Sequence, residues 1–411
     1  MKSLNIASII ALFVVFLFAC TEDTQRGPLA IEDEVAPGIV SEISVENLPG
    51  GALVTYKIPS DEDFLLVEAT YQRNVTTVVT KSSAYQNSIL IEGIRGVENL
   101  EVELVSVDRS GNRSPVTTVT VNPLTAPIDK MFNELTLEQA FGGVRANYSN
   151  NELLKFELLL LLKDTVSGEW QYTGSAFIEN NQRNRFTFRG FPPSEKTFGI
   201  FAVDRWDNST DTLEISLTPL EEVELDFTKY DVISPALSTD EPDAFGWVHA
   251  NMWNGNIGGN GFHTSQANPG AVVPPYEEPY HIVSWDLGVT ANLSRVIWWQ
   301  RQGSWGFRHG NPRYFEIWGI DELPANSPGT DMVAEGWTLL VANGEVLKPS
   351  EAPLGTLSAE DAAQVLAGEE FEIFDNSAKI RYLRFVNFQS WSGAKFMHMT
   401  EVKAFGQILE E

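Results

Sequence analysis

From Pro37 onward, apolar and polar residues alternate in short runs broken by Gly, Pro, Asn and Asp. VSEISVENL (Val40 to Leu48) is followed by the turn residues Pro49, Gly50 and Gly51, and then by ALVTYKIP. LEVELVSVD (Leu100 to Asp108) has the period of two expected of a half-buried strand. One run, LLKFELLLLLKD (Leu153 to Asp164), fits a buried helix as well as a strand by periodicity alone. Its all-β surroundings make strand the expectation. Short strands with frequent turn signals predict β-sandwiches.

The beginning of the chain breaks this pattern. Lys2 is followed by an almost unbroken apolar run, Leu4 to Ala19. It is shorter than the roughly 20 residues of a membrane span and suits a signal-peptide core over residues 1–19. It ends in LFAC at Cys20, the sole cysteine, which resembles a bacterial lipobox. That resemblance implies lipidation of Cys20 and attachment to the membrane through acyl chains only. Thr21, Glu22 and Asp23 resemble the surface-export signal of Bacteroidota lipoproteins. Residues 20–36 read as a polar tether.

The next two segments repeat each other. VDRSGNRS (Val107 to Ser114) recurs as VDRWDNS (Val203 to Ser209), each time where a strand runs into an Asn-containing turn. A repeat spaced by the length of one sandwich argues for tandem domains, 37–126 and 127–222, rather than a solenoid. The first resembles a fibronectin type III domain and the second an immunoglobulin-like or fibronectin-like one. Asp108 and Asp204 sit at matching turns, where carboxylates hydrogen-bond backbone amides; a calcium site between the domains is the alternative.

Residues 223–411 differ in composition. Nine of the eleven tryptophans and all five histidines lie after residue 240. HIVSWDLG (His281 to Gly288), SRVIWWQRQ, PRYFEIWGID, EGWTLL, IRYLRFVNFQSW and MTEVKAFG follow in order. This succession resembles the discoidin-like, or coagulation factor 5/8 type C, domain, which implies a galactose-binding-like jelly roll. Ser358 and Asp361 suggest a capping box opening a short helix that Gly368 closes. The whole chain resembles three-domain Bacteroidota surface lipoproteins of polysaccharide-utilisation systems. The fold class expected is therefore all-β, two tandem sandwiches followed by a discoidin-like sandwich.

Charge narrows the partners. With 56 acidic against 28 basic residues, the formal charge is −28. Phosphate neutralisation needs Lys and Arg, so no nucleic acid partner is expected. One cysteine excludes a disulfide framework. The sequence contains no HExxH, GxSxG, P-loop or dinucleotide fingerprint, and no histidine pair has the His-x₃-His spacing. No carboxylate pair stands out for glycoside hydrolysis, and the expectation is a non-enzyme.

A sugar has an apolar face and a polar rim, so its site needs an exposed aromatic platform with fixed donors. Loops carry such groups in sandwiches. Three loops qualify, around Trp253, around Trp305, Arg308, His309 and Asn311, and around Trp391. Trp305 or Trp391 is the expected platform, and Arg308, His309 and Asn311 the expected donors to hydroxyls. Trp285, Trp298, Trp299 and Trp318 lie on strands and read as core; His309 also reads as a plain loop histidine. The discoidin resemblance further implies a structural Ca²⁺ near Asn254, Asn256 and Glu401, although Asn254 replaces the family's usual Asp. The resemblance implies poly- or oligosaccharide binding at the outer membrane, beside a transporter and companion glycan-binding lipoproteins. An adhesin or structural accessory binding a protein is the alternative, favoured by a broad apolar patch instead of an aromatic platform.

Overall fold

The computed structural model describes residues 34–410, apart from 97, 152–153, 179–183, 327 and 375–376. The expected signal segment, Cys20 and most of the tether lie outside the described residues. The chain is all-β, built from several sandwiched sheets. Among the described residues, no helix is long and apolar enough to cross a membrane.

The first seven strands are β1 (Ser41–Leu48), β2 (Gly51–Lys57), β3 (Phe64–Arg73), β4 (Thr76–Ser83), β5 (Ser88–Glu92), β6 (Leu100–Asp108) and β7 (Thr117–Val121). They form a three-stranded sheet, β1-β2-β5, facing a four-stranded one, β4-β3-β6-β7. Alternate residues point inward, so Val54, Val67 and Val102 close one core.

The next unit repeats this plan. It opens with a helix, α1 (Pro127–Glu134), which turns Ile128 and Met131 inward and has proline in its first turn, where no intrahelical N–H is needed. Then come β8 (Thr136–Ala140), β9 (Gly143–Asn147), β10 (Phe156–Lys163), β11 (Trp170–Ile178), β12 (Arg185–Arg189), β13 (Lys196–Asp204) and β14 (Leu213–Leu217). Their sheets run β12-β9-β8 and β11-β10-β13-β14. The ambiguous leucine run is strand β10, with Phe156, Leu158 and Leu160 buried. The repeated turns also match. Asp108 accepts from the backbone N–H (2.8 Å) and side-chain amide (2.9 Å) of Asn112. Asp204 does the same with Asn208, at 3.0 and 2.9 Å. These aspartates therefore tie their own turns, as the hydrogen-bonding reading expected.

The last unit is organised by one 21-residue strand, Pro279–Trp299. Its first half pairs with Ile380–Ser390 and its second half with Glu401–Glu410. The Asp286-Leu287-Gly288 segment lies within this one strand, at the point where its pairing register with Ile380–Ser390 shifts. Gly288 has φ +70°, and a Cβ there would lie 2.2 Å from the Lys229 carbonyl oxygen. Strand Pro312–Ile320 lies beside Ile380–Ser390. Trp285 and Trp298 are fully buried and Trp299 and Trp318 nearly so, as their strand positions required. The expected helix is α2 (Ala359–Ala367), with Ser358 and Asp361 exchanging both capping bonds. Burial alone would raise the Asp361 carboxyl, but amides of Ser358 and Ser350 and the nearby Lys348 ammonium hold it down at about 2.

Glu372 joins the second and third units. It accepts from Arg145 (3.1 Å) and Thr187 (2.6 Å) and pairs with Arg189 (2.9 Å).

Candidate functional site

The loop from Gln300 to Asn311 leaves the long strand and folds back against the segment 391–398. Trp391 N–H donates to the Asn311 carbonyl, Ser392 N–H to that of His309, and His398 N–H to that of Gly310, each at 2.9 Å. Gly310 is required by this close approach, since a Cβ would meet the Phe396 ring at 2.5 Å. Inside the loop, Gln300 accepts from Phe307 N–H (2.7 Å) and donates to Glu369 (2.7 Å). Phe307 and His309 take positive φ values of 51° and 54°, conformations that non-glycine residues adopt only where surrounding contacts hold them.

This scaffold sorts the expected site residues. Trp305 remains at the surface, 37% exposed, on a 3₁₀ turn spanning Gly303–Trp305. The Arg301 guanidinium lies over its ring at 4.1 Å, and the His309 ring meets it edge-on at 5.5 Å. Arg308 is exposed and touches the Ser304 carbonyl at 3.3 Å. Trp305, Arg308 and His309 are therefore brought together. Asn311 is not available to a ligand, because it is fully buried. Its side chain accepts from Arg301 N–H (2.8 Å) and donates to the Trp305 carbonyl (2.7 Å), pinning the loop.

Trp391 is not a platform either. It is 8% exposed, packs edge-on against Phe307 at 5.4 Å, and is covered by Arg313 at 4.6 Å. Trp253, at 7% exposed, packs against Tyr230 in the core. Asn254, Asn256 and Glu401 engage one another. Glu401 accepts from Gly255 N–H (3.3 Å) and Asn256 N–H (3.1 Å), while the Asn254 side chain accepts from Asn256 N–H (2.8 Å). The loop thus meets the Glu401 carboxylate, offered to calcium by the discoidin resemblance, with two backbone N–H donors. Burial pushes Glu401 up to about 7, against the pull of those amides.

Other residues here escaped the sequence reading. Phe245 is 69% exposed, has φ +57°, and stands edge-on to His263 at 5.0 Å. The Arg301 guanidinium also lies over the Trp247 ring, at 5.1 Å. His263 and His398 are direct partners across the short antiparallel pair Phe262–His263 and His398–Met399. His309 completes a group in which one ring nitrogen from each histidine lies within 4.8 Å of the others. Burial is the main cause holding all three below the ordinary imidazole value, His398 well below it, so they are neutral at pH 7. Neutral imidazoles are the form that binds a metal. No local spacing announces this group, because the sheet assembles it from three distant segments. The remaining histidines do other work: His249 bonds Asp243 at 2.6 Å, and His281 bonds Thr264 at 2.7 Å.

Two exposed aromatic rings, Phe245 and Trp305, therefore flank imidazoles and two arginines. Among the described residues, no carboxylate pairs with Arg301 or Arg308. A cavity of about 340 Å³ lies elsewhere, in the second unit, lined by residues including Glu134, Tyr148 and Arg185.

Glu369 supports the loop from beneath, through Gln300 and Gln364. Its burial pushes it up to about 6, so the folded chain holds a proton that the unfolded chain has released. Stability from this group therefore falls as pH rises from about 4.5 to about 6 and then levels off. Urea melts should show wild type losing on the order of 1–2 kcal/mol relative to Glu369→Gln between pH 4.5 and 7.5. A gap independent of pH would refute this reading.

Known proteins bear on the three segments as follows. Three family models match, each described only as a domain of unknown function: DUF4959 over 37–123, DUF5126 over 124–228 and DUF5000 over 252–406. No curated protein matches the chain. Among solved structures, the chain is similar to a SusE-like protein at 29% identity, covering 68% of this chain and 98% of that one, with a TM-score of 0.43. It is also similar to the C-terminal domain of a chitobiase from Bacteroides fragilis, at 14% identity, 46% and 100% coverage, and a TM-score of 0.29. A two-domain fibronectin type III segment of chicken tenascin matches at 10% identity, 44% and 99% coverage, and a TM-score of 0.22.

Proposed function

We propose that this chain is a non-catalytic, lipid-anchored surface protein that binds glycan through the loop end of its C-terminal unit. In this reading Cys20 is the anchor, the two sandwiches are a stalk, and the captured poly- or oligosaccharide passes to an outer-membrane uptake system. The C-terminal unit is read as discoidin-like and the first two as fibronectin-like.

One observation carries the reading: Trp305, exposed at the rim, lies beside two arginines that have no acid partner among the described residues, in a chain of formal charge −28. An aromatic face suits the apolar side of a sugar ring. Unpaired guanidinium groups suit a carboxylate or sulfate on it, since they form charge-assisted and often bidentate bonds. The favoured ligand is therefore an acidic glycan. Phe245, across the histidines, offers a second face.

The test is a glycan array probed with the purified full chain, followed by titration of hits at low and high salt. Uronate or sulfated oligosaccharides should exceed neutral ones, and their binding should weaken with salt. A blank array, with capture of an outer-membrane protein instead, would replace this reading with an adhesin or accessory.

A further inference from the structure

We propose that His263, His309 and His398 form a binding site for a divalent transition-metal ion, of which Zn²⁺ is the best fit. This inference does not rest on the glycan reading.

The donors have the chemistry and nearly the geometry. Zn–N bonds of about 2.0–2.1 Å place tetrahedral ligand atoms about 3.4 Å apart. His309 Nδ1 and His398 Nε2 are already 3.4 Å apart. The ring centroids are separated by 5.2, 5.5 and 6.2 Å; the His309 and His398 rings lie within 20° of parallel, His263 is inclined to them by 63° and 48°, and one nitrogen of each lies within 4.8 Å of the others. The remaining closure falls to His309, which sits on the exposed loop, while His263 and His398 are fixed on paired strands.

The tautomer of His263 favours the same assignment, and the other two rings would exchange a hydrogen bond for the ion. His263 Nδ1 lies 2.7 Å from the Thr264 carbonyl, so it carries the proton and leaves Nε2 bare. A histidine ligand commonly donates its second ring N–H to a backbone carbonyl in this way. His398 Nε2 accepts from Gly310 N–H at 3.2 Å, a bond that an ion on that nitrogen would replace, while its Nδ1 is buried with no hydrogen-bond partner among the described residues. His309 Nδ1 faces the cluster; for it to be bare, Nε2 must carry the proton and the Gln266 amide, 3.4 Å away, must turn its oxygen to accept it. Three buried or half-buried imidazoles gather here with no carboxylate in the group among the described residues, and the one hydrogen-bond contact between their rings, His309 Nδ1 to His398 Nε2, is long at 3.4 Å. A shared ion satisfies them together.

Three protein ligands leave a coordination position open. Arg301 stands beside the group, because Trp247 and Trp305, whose rings both lie near its guanidinium, contact the three histidines between them. A dication next to a guanidinium calls for an anion at that position, so hydroxide, chloride or a ligand carboxylate is expected there.

The experiment uses the full chain purified without a polyhistidine tag and stripped with chelator. Zn²⁺ titration by calorimetry should show one ion per chain with Kd below about 10 µM. Co²⁺ should give intense visible bands of four-coordinate geometry, and excess Ca²⁺ should not compete, because Ca²⁺ prefers oxygen ligands. His309→Gln should weaken Zn²⁺ binding by about a hundredfold, with the metal-free melting temperature unchanged because His309 lies on the loop. His398→Gln serves as the second variant and should lose binding as well. Zn²⁺ binding weaker than about 10 µM in wild type would overturn the proposal, as would equal affinity in wild type and His309→Gln.

Discussion

Replacing Arg384 with leucine is expected to destabilise the C-terminal unit by about 3–5 kcal/mol, the largest single effect foreseen here. Arg384 lies in the central strand Ile380–Ser390 and is fully buried. Its guanidinium donates to Ser284 Oγ (2.8 Å), the Gly329 carbonyl (2.8 Å), Thr239 Oγ1 (3.2 Å) and Asp240 Oδ1 (3.2 Å), and it lies over Trp337 at 4.7 Å. Removing it strands Asp240, which accepts from Ser284 and has no other cationic side chain in an ion pair among the described residues. Burial already pushes the Asp240 carboxyl up, against the pull of Arg384. Urea unfolding should register the loss. Adding Asp240→Asn to Arg384→Leu should recover part of it, because the stranded charge is then gone. A loss below about 1 kcal/mol would mean that the buried pair contributes no more than an exposed one.

The second large effect concerns binding. Trp305→Ala should weaken acidic glycan binding about a hundredfold, or about 2.7 kcal/mol, since tryptophan truncation at an interface centre commonly costs 2 kcal/mol or more. The substitution removes the platform and also the ring on which Arg301 rests, so it should lower both affinity and salt dependence. Folding should be little affected, because the ring is partly exposed and its neighbour Asn311 bonds only the Trp305 backbone. Trp391→Ala is the contrasting variant: it opens the core beside Phe307 and should lower the melting temperature. If Trp305→Ala bound as tightly as wild type, the platform would lie elsewhere.

What was legible in the sequence was mostly local. Alternation exposed strands such as Leu100–Asp108, and the all-β context resolved the leucine run that periodicity left open. The capping residues Ser358 and Asp361 needed only each other, and both bonds formed. The paired Asp-Asn turns were readable because each aspartate acts within four residues of itself.

The site was only partly legible, for a physical reason. Trp305 and Trp391 have similar neighbours, small and polar, that mark a loop. Loop position does not decide exposure: the segment carrying Trp391 is stitched back onto Asn311, whereas Trp305 sits on a short turn at the rim. Asn311 looked like a donor to hydroxyls because it stands beside His309, yet its amide is spent on Arg301 and Trp305. The histidine group was out of reach. His263 and His398 meet only through long-range strand pairing, which single-sequence spacing does not encode.

The most direct test of the central claim is oxidative footprinting of the full chain with and without a bound acidic oligosaccharide. The account predicts protection at Trp305 and Phe245, with Trp170 and Trp206 in the second unit unchanged. Protection confined to the first two units, or none at Trp305 despite measurable binding, would contradict it.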